Sequence, residues 1–172
     1  LSFLSFFIIF VNYLTFKIDF FNSFFFCSFH FLFNFRKSIF VYIFLNFTLK
    51  IYCTPESMPR TNNIPENVSI YSSGISYTEL LEEYNRARFI LIPLKSHKGG
   101  TQGLTSLMDV FAMGKPVIMT YNRNIDIDIE REGLGFWTEE YNSLSWRKCI
   151  NKILKNEKLL EELGANSMKI YK

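Results

Sequence analysis

The stretch FILIPLKSHKGGTQGLTSLMDVFAMGKPVIMT, residues 89–120, decides the fold. It opens on Phe89–Pro93, a continuous apolar run of the kind a parallel strand shows when both of its faces are covered. A glycine-bearing loop, residues 95–103, follows and leads into a helix expected from about Leu104 to Met113. Gly114 stops that helix as a glycine C-cap, and Pro116–Thr120 supplies the next apolar strand. Strand, helix and strand in so short a space argue for a parallel pairing with a right-handed crossover.

The same alternation continues on both sides. Asn67–Ser72 reads as a strand ended at Ser73–Gly74. Ser76 followed by Glu79 is a capping box, and the helix behind it, Tyr77–Arg86, places Leu80, Leu81 and Tyr84 on one face. Downstream, residues 124–131 are expected as a short helix and Gly135–Thr138 as a short strand. Leu144–Leu154 and Glu157–Tyr171 read as two closing helices. The fold class expected is therefore α/β, a Rossmann-like parallel sheet with helices on both faces, preceded by an apolar Phe-rich segment.

That leading segment differs from the rest. Residues 1–50 hold 17 of the 20 Phe and no Gly, Ala, Pro, Glu, Gln, Met or Trp. They also carry the chain's whole net charge of +3, leaving the remainder balanced. No basic stripe accompanies that charge, so a nucleic-acid surface is not expected. A composition without Gly, Ala or Pro is what A/T-rich sequence gives when read out of frame or upstream of a true start. The alternatives are a membrane segment and a buried core. The run 1–16 falls slightly short of the ~18 apolar residues a span needs, and Lys17 and Asp19 interrupt it. No basic region or small-residue cleavage site marks a signal peptide. The division expected is thus a Phe-rich segment at 1–50 and a partial domain at 51–172, cytoplasmic, with membrane association tied to the reality of residues 1–50. The later strands are expected to leave an exposed parallel edge.

Cys27, Cys53 and Cys149 are far apart, which suits free thiols, and neither they nor His30 and His97 make a metal-ligand spacing.

In an open parallel sheet ligands sit beyond the carboxyl ends of the strands, where loops meet helix N-termini. Two such loops are marked, 73–76 and 95–103. A helix beginning at Gly103 would aim backbone N–H groups and a partial positive charge at a phosphate. Gly99, Gly100 and Gly103 permit close approach, and Thr105 and Ser106 offer hydroxyls. Asp109 lies four residues beyond Thr105, on the same helix face, where its carboxylate could accept from a ribose diol. The plainer reading stands beside this one: Thr105 as an ordinary cap and Asp109 as a solvated helix carboxylate. The spacing is neither that of a dinucleotide fingerprint nor that of a P-loop.

LMDVFAMGKPVI, residues 107–118, resembles the "LLEAMAxGKPVI" signature of GT-B glycosyltransferases of the large retaining group. The flanks agree in order. NVSIYSSGISYTEL (67–80) is similar to that family's "NVxFxGxVSxxEL", YNRARFILIP (84–93) to its "YxxADVFVLPS", and LLEELG (159–164) to its "LRExLGxxAR" tail. The resemblance covers residues 64–172. It implies that Asp109 takes the place of the acidic residue that binds the donor's ribose. Gly103, Leu104 and Thr105 would meet the diphosphate, and Gly74 and Ile75 would contact the base through their backbone.

The departures also carry weight. Thr101 stands where the family often has a Glu that contacts the donor sugar, and the basic pair that steadies the diphosphate has no counterpart, with Lys95 and Lys98 the only candidates nearby. Gly114, Lys115 and Pro116 are expected to be structural. The resemblance implies a nucleotide-diphosphate sugar as substrate rather than a cofactor, an acceptor of unspecified kind, and no metal. It also implies that the chain binds donor without transferring it, because the acceptor domain is missing; no catalytic residue is assigned. A non-catalytic nucleotide- or phosphate-binding module, tethered to a membrane if residues 1–50 are real, is the alternative. A ligand-free interaction domain is the third.

Overall fold

The computed structural model describes residues 8–13, 47–53, 64–72, 74–94, 100–140 and 142–171. Six strands and four helices follow in the order β1 (Ile8–Tyr13), β2 (Phe47–Tyr52), β3 (Val68–Tyr71), α1 (Tyr77–Arg86), β4 (Phe89–Ile92), α2 (Leu104–Ala112), β5 (Val117–Thr120), β6 (Gly135–Thr138), α3 (Ser143–Leu154) and α4 (Glu157–Tyr171). The strands form one sheet in the order β3-β2-β1-β4-β5-β6.

The chain is α/β, and its sheet contains two parallel ribbons. β2 pairs with β3 in one, with Leu49 opposite Val68. β4, β5 and β6 form the other, with Ile90 opposite Val117 and Val117 opposite Gly135. β1 joins them and is antiparallel to both neighbours, Ile9 standing opposite Ile51 on one side and Leu91 on the other. The sheet is therefore mixed rather than wholly parallel. β1 covers the inner strand of each ribbon, while the expected parallel edges remain at β3 and β6, the outermost strands of the sheet. Both inner ladders would otherwise carry unpaired N–H and C=O groups, and a segment rich in β-branched and aromatic residues, IIFVNY, satisfies them. The sheet thus runs across residue 50, taking β1 and the start of β2 from the Phe-rich stretch.

Side chains alternate between two cores. Phe89 and Leu91 of β4 face one core with Leu49, Ile51, Val68 and Ile118, covered by Trp146, Ile150 and Ile153 of α3 and Leu163 of α4. Ile90 and Ile92 face the other with Val117 and Met119, covered by Tyr84 of α1 and by Leu107, Val110 and Phe111 of α2. All four residues of β4 are buried, and each such side chain contributes about 1.5–3 kcal/mol. This is why the run at 89–92 carries no polar residue: neither of its faces meets water.

Local chemistry sets the helix limits. α1 begins at a complete capping box, with the Ser76 N–H donating to Glu79 at 2.9 Å and the Glu79 N–H donating to Ser76 Oγ at 3.3 Å. Its last turn is closed from outside, where Lys115 Nζ donates to the Asn85 carbonyl at 2.7 Å. Gly114, at φ +61°, ends α2 in the left-handed region. α4 packs there so closely that a Cβ on Gly164 would sit 2.7 Å from the Gly114 carbonyl oxygen. Ser167 of α4 completes the junction, its Oγ lying 3.0 Å from both the Lys115 and the Leu163 carbonyl oxygens, which share its one proton.

Residues 124–131 form turns, not the expected short helix. Asp128 Oδ1 accepts from the N–H groups of Glu130 and Arg131, both at 3.2 Å, and Asn122 Oδ1 accepts from the Asn124 N–H at 3.0 Å. These side chains offer the backbone an alternative to helical bonding. Ile125 and Ile129 are nonetheless buried and help to close the second core.

Candidate functional site

β3 runs into α1 and β4 into α2. Because β3 and β4 point the same way, both helices start at one edge of the sheet, the edge at the strands' carboxyl ends. Hydrogen bonds among the described residues shape that edge between β4 and α2. Thr120 Oγ1, at the end of β5, accepts from the Leu94 N–H at 2.9 Å. Asn122 Nδ2 donates to the Gln102 carbonyl at 3.1 Å, and Asn124 Nδ2 to the Gly100 carbonyl at 3.0 Å. The chain just before α2 is thus held from beneath by the segment after β5.

Gly103 is the N-cap of α2, buried and at φ +82°. A Cβ there would lie 2.7 Å from Met119 Cε and 2.9 Å from Leu94 Cδ1, so the position combines a left-handed backbone with a lack of room. Its carbonyl accepts from the Leu107 N–H at 2.9 Å, and the Leu104 N–H turns back to the Thr101 carbonyl at 3.0 Å. Among the described residues no side chain caps this helix start, and its first turn contains no acidic residue. The partial positive charge of the first turn is therefore met by no carboxylate of that turn. Leu104 is half-buried and Thr105 exposed.

Asp109 lies one turn further on and is half-buried. Its Oδ1 accepts from the Tyr77 hydroxyl at 2.9 Å. Tyr77 is the first residue of α1 and 61% exposed, so its ring stands at the surface while its hydroxyl bridges the two helices. That hydrogen bond, and next the charge of Asp109, raise the phenol's pKa. Two turns along α1, the buried Tyr84 faces the same part of α2. Burial raises its pKa, the negative charge of Asp109 adds to the rise, and an interaction with the Ser106 hydroxyl opposes it. Ser106 and Asp109, three residues apart on α2, thus face two tyrosines seven apart on α1.

Gly74 and Ile75 form the approach to α1. Gly74 is exposed, with open space where a Cβ would be, and Ile75 is half-buried. The sequence candidates thus fall at two helix starts on one edge: Gly74 and Ile75 before α1, and Gly103, Leu104 and Thr105 at the start of α2, with Asp109 linked to α1 through Tyr77. Lys95, Lys98, Gly99 and Ser73 lie outside the described residues. Lys115, as expected of a structural residue, serves the end of α1.

Tyr77 is the residue that sequence reasoning missed. Nothing in local spacing pairs residues 32 apart on two helices; only the adjacency of α1 and α2 on one face of the sheet brings them together.

At the far end of the same edge, exposed Tyr121 meets Trp137 edge-on with ring centroids 5.5 Å apart. Among the described residues no group of three or more His, Cys, Asp or Glu is placed to hold a metal ion. Among them, too, no helix is long and apolar enough to cross a membrane. No protein-family model and no curated protein matches the chain.

Proposed function

We propose that the chain is the donor-binding part of a glycosyltransferase, taking a nucleotide-diphosphate sugar as substrate and passing the sugar to an acceptor held elsewhere. The observation that carries this reading is the bond from Tyr77 to Asp109, which holds a carboxylate between two helix starts at the carboxyl edge. The diphosphate would lie against the N–H groups at Gly103, Leu104 and Thr105, where the helix end favours negative charge. Asp109 would accept from the ribose hydroxyls, and the backbone at Gly74 and Ile75 would border the base. As the sugar leaves, charge builds on the diphosphate, and the same N–H groups would stabilise it. The parallel pairing of β4 with β5 supports the reading, since in open parallel sheets ligands sit beyond the carboxyl ends of the strands.

Calorimetric titration of the full chain with UDP and GDP tests this, with Asp109→Ala in parallel. Micromolar to millimolar binding that Asp109→Ala weakens about tenfold supports it. A folded chain that binds neither nucleotide overturns it.

Thr101 favours a second reading. It is exposed, its carbonyl is engaged by the Leu104 N–H, and it offers no carboxylate to a sugar. A site that keeps the nucleotide contacts and lacks the sugar contact is a non-catalytic nucleotide-binding module. Equal affinity for UDP and for UDP-sugars would favour that module over the transferase.

A further inference from the structure

We propose that Tyr77 is a positioning residue for ribose recognition: its hydroxyl fixes the Asp109 carboxylate so that the remaining oxygen presents to the 2′- and 3′-hydroxyls of a bound nucleoside diphosphate. The inference rests on the donor-site reading above.

A carboxylate in the second turn of a helix can ordinarily turn through several rotamers, and an aspartate that must accept from a ribose diol loses that freedom on binding. The 2.9 Å bond from Tyr77 removes much of it beforehand. Oδ1 is occupied by the phenol, and the free directions of the carboxylate concentrate on Oδ2. The bond ties the first residue of α1 to the second turn of α2, so it also sets the spacing of the two helix starts. A hydroxyl donating to a carboxylate is a charge-assisted bond, which holds the acceptor more firmly than a neutral pair would. Its consequence falls on the geometry of Asp109.

The two tyrosines of α1 divide the task. Tyr84 lies buried beneath, against Ser106, and belongs to the packing between the helices. Tyr77 lies at the rim, and only its hydroxyl engages α2. Substitution by Phe therefore removes the bond and keeps the ring.

Titration of the full chain with UDP and with 2′,3′-dideoxy-UDP tests the proposal, for the wild type, Tyr77→Phe, Asp109→Ala and the double variant. The wild type should prefer the ribose form by about tenfold, and Tyr77→Phe should lose most of that preference while its affinity for the dideoxy form stays unchanged. In the Asp109→Ala background, where no acceptor remains for the phenol, Tyr77→Phe should have no further effect on the preference. A structural tie alone would lower affinity for both nucleotides together and leave their ratio intact, which overturns the proposal. A ribose preference that survives Tyr77→Phe overturns it as well, while leaving the donor site standing. If the folded wild type binds neither nucleotide, the donor-site reading falls and this inference with it.

Discussion

Lys50 Nζ lies 2.6 Å from Glu83 Oε2, joining the second strand of the sheet to the first helix across 33 residues. Glu83 is buried, and Arg86 approaches its other oxygen at 3.0 Å. A carboxylate taken out of water needs such partners, and Lys50 supplies the one that is less exposed. The bond is possible because β2 alternates, sending Leu49 and Ile51 to one core and Lys50 and Tyr52 to the side of α1.

Lys50→Met should destabilise the chain by about 1–2 kcal/mol, less than for a fully buried pair, because Lys50 is partly solvated and Arg86 remains. Urea denaturation measures it. The loss should grow when Arg86 is replaced as well, by more than the two single losses combined, since Glu83 then has neither cation. A Lys50→Met chain as stable as the wild type would show that α1 does not hold β2.

Much of this architecture could be read beforehand. The unbroken apolar run at 89–92 announced a strand covered on both faces, Ser76 with Glu79 announced the start of α1, and Gly114 announced the end of α2. β1 was not readable, because in a segment where nearly every residue is apolar no periodicity marks out IIFVNY. β2 carried its alternation openly at 49–52, but it straddles the change in composition at residue 50 and was divided there. At 124–131 the structure departs from the expected helix because the apolar residues Ile125, Ile127 and Ile129 alternate, and the Asn122 and Asp128 side chains determine the turns. Asp109 could be placed on its helix from sequence. Its partner Tyr77 could not, because a contact between two helices depends on how both pack on the sheet.

Acid should act on two surface carboxylates. The Ser76 side chain and then its N–H hold Glu79 below its ordinary 4.5, and the Arg131 N–H, foremost among several bonds, holds Asp128 below its ordinary 3.8. A lowered folded-state pKa gives stability that is whole above the unfolded value and is lost as pH falls through the folded one. Stability should therefore begin to decline below pH 4.5, with the Asp128 share following below 3.8. Glu79→Gln and Asp128→Asn should each flatten this decline, measured as urea midpoints from about pH 5 to about pH 2. An acid limb that keeps its slope in both variants would mean that neither contact matters in solution.

Gly103→Ala should separate the start of α2 from the rest of the fold. At φ +82° a side chain costs about 1–2 kcal/mol in the backbone alone, and the added methyl would press on Met119 and Leu94. Relief of that contact moves the first turn of α2, where the phosphate is expected to bind. Stability should fall by about 1–3 kcal/mol and affinity for UDP should fall with it. Gly74→Ala is the control: it meets nothing within 4 Å, and its φ is outside the left-handed region. Its stability should stay within about 0.5 kcal/mol of the wild type. If Gly103→Ala lost stability and still bound UDP at full strength, the nucleotide would have to be held away from the start of α2, at the approach to α1 alone.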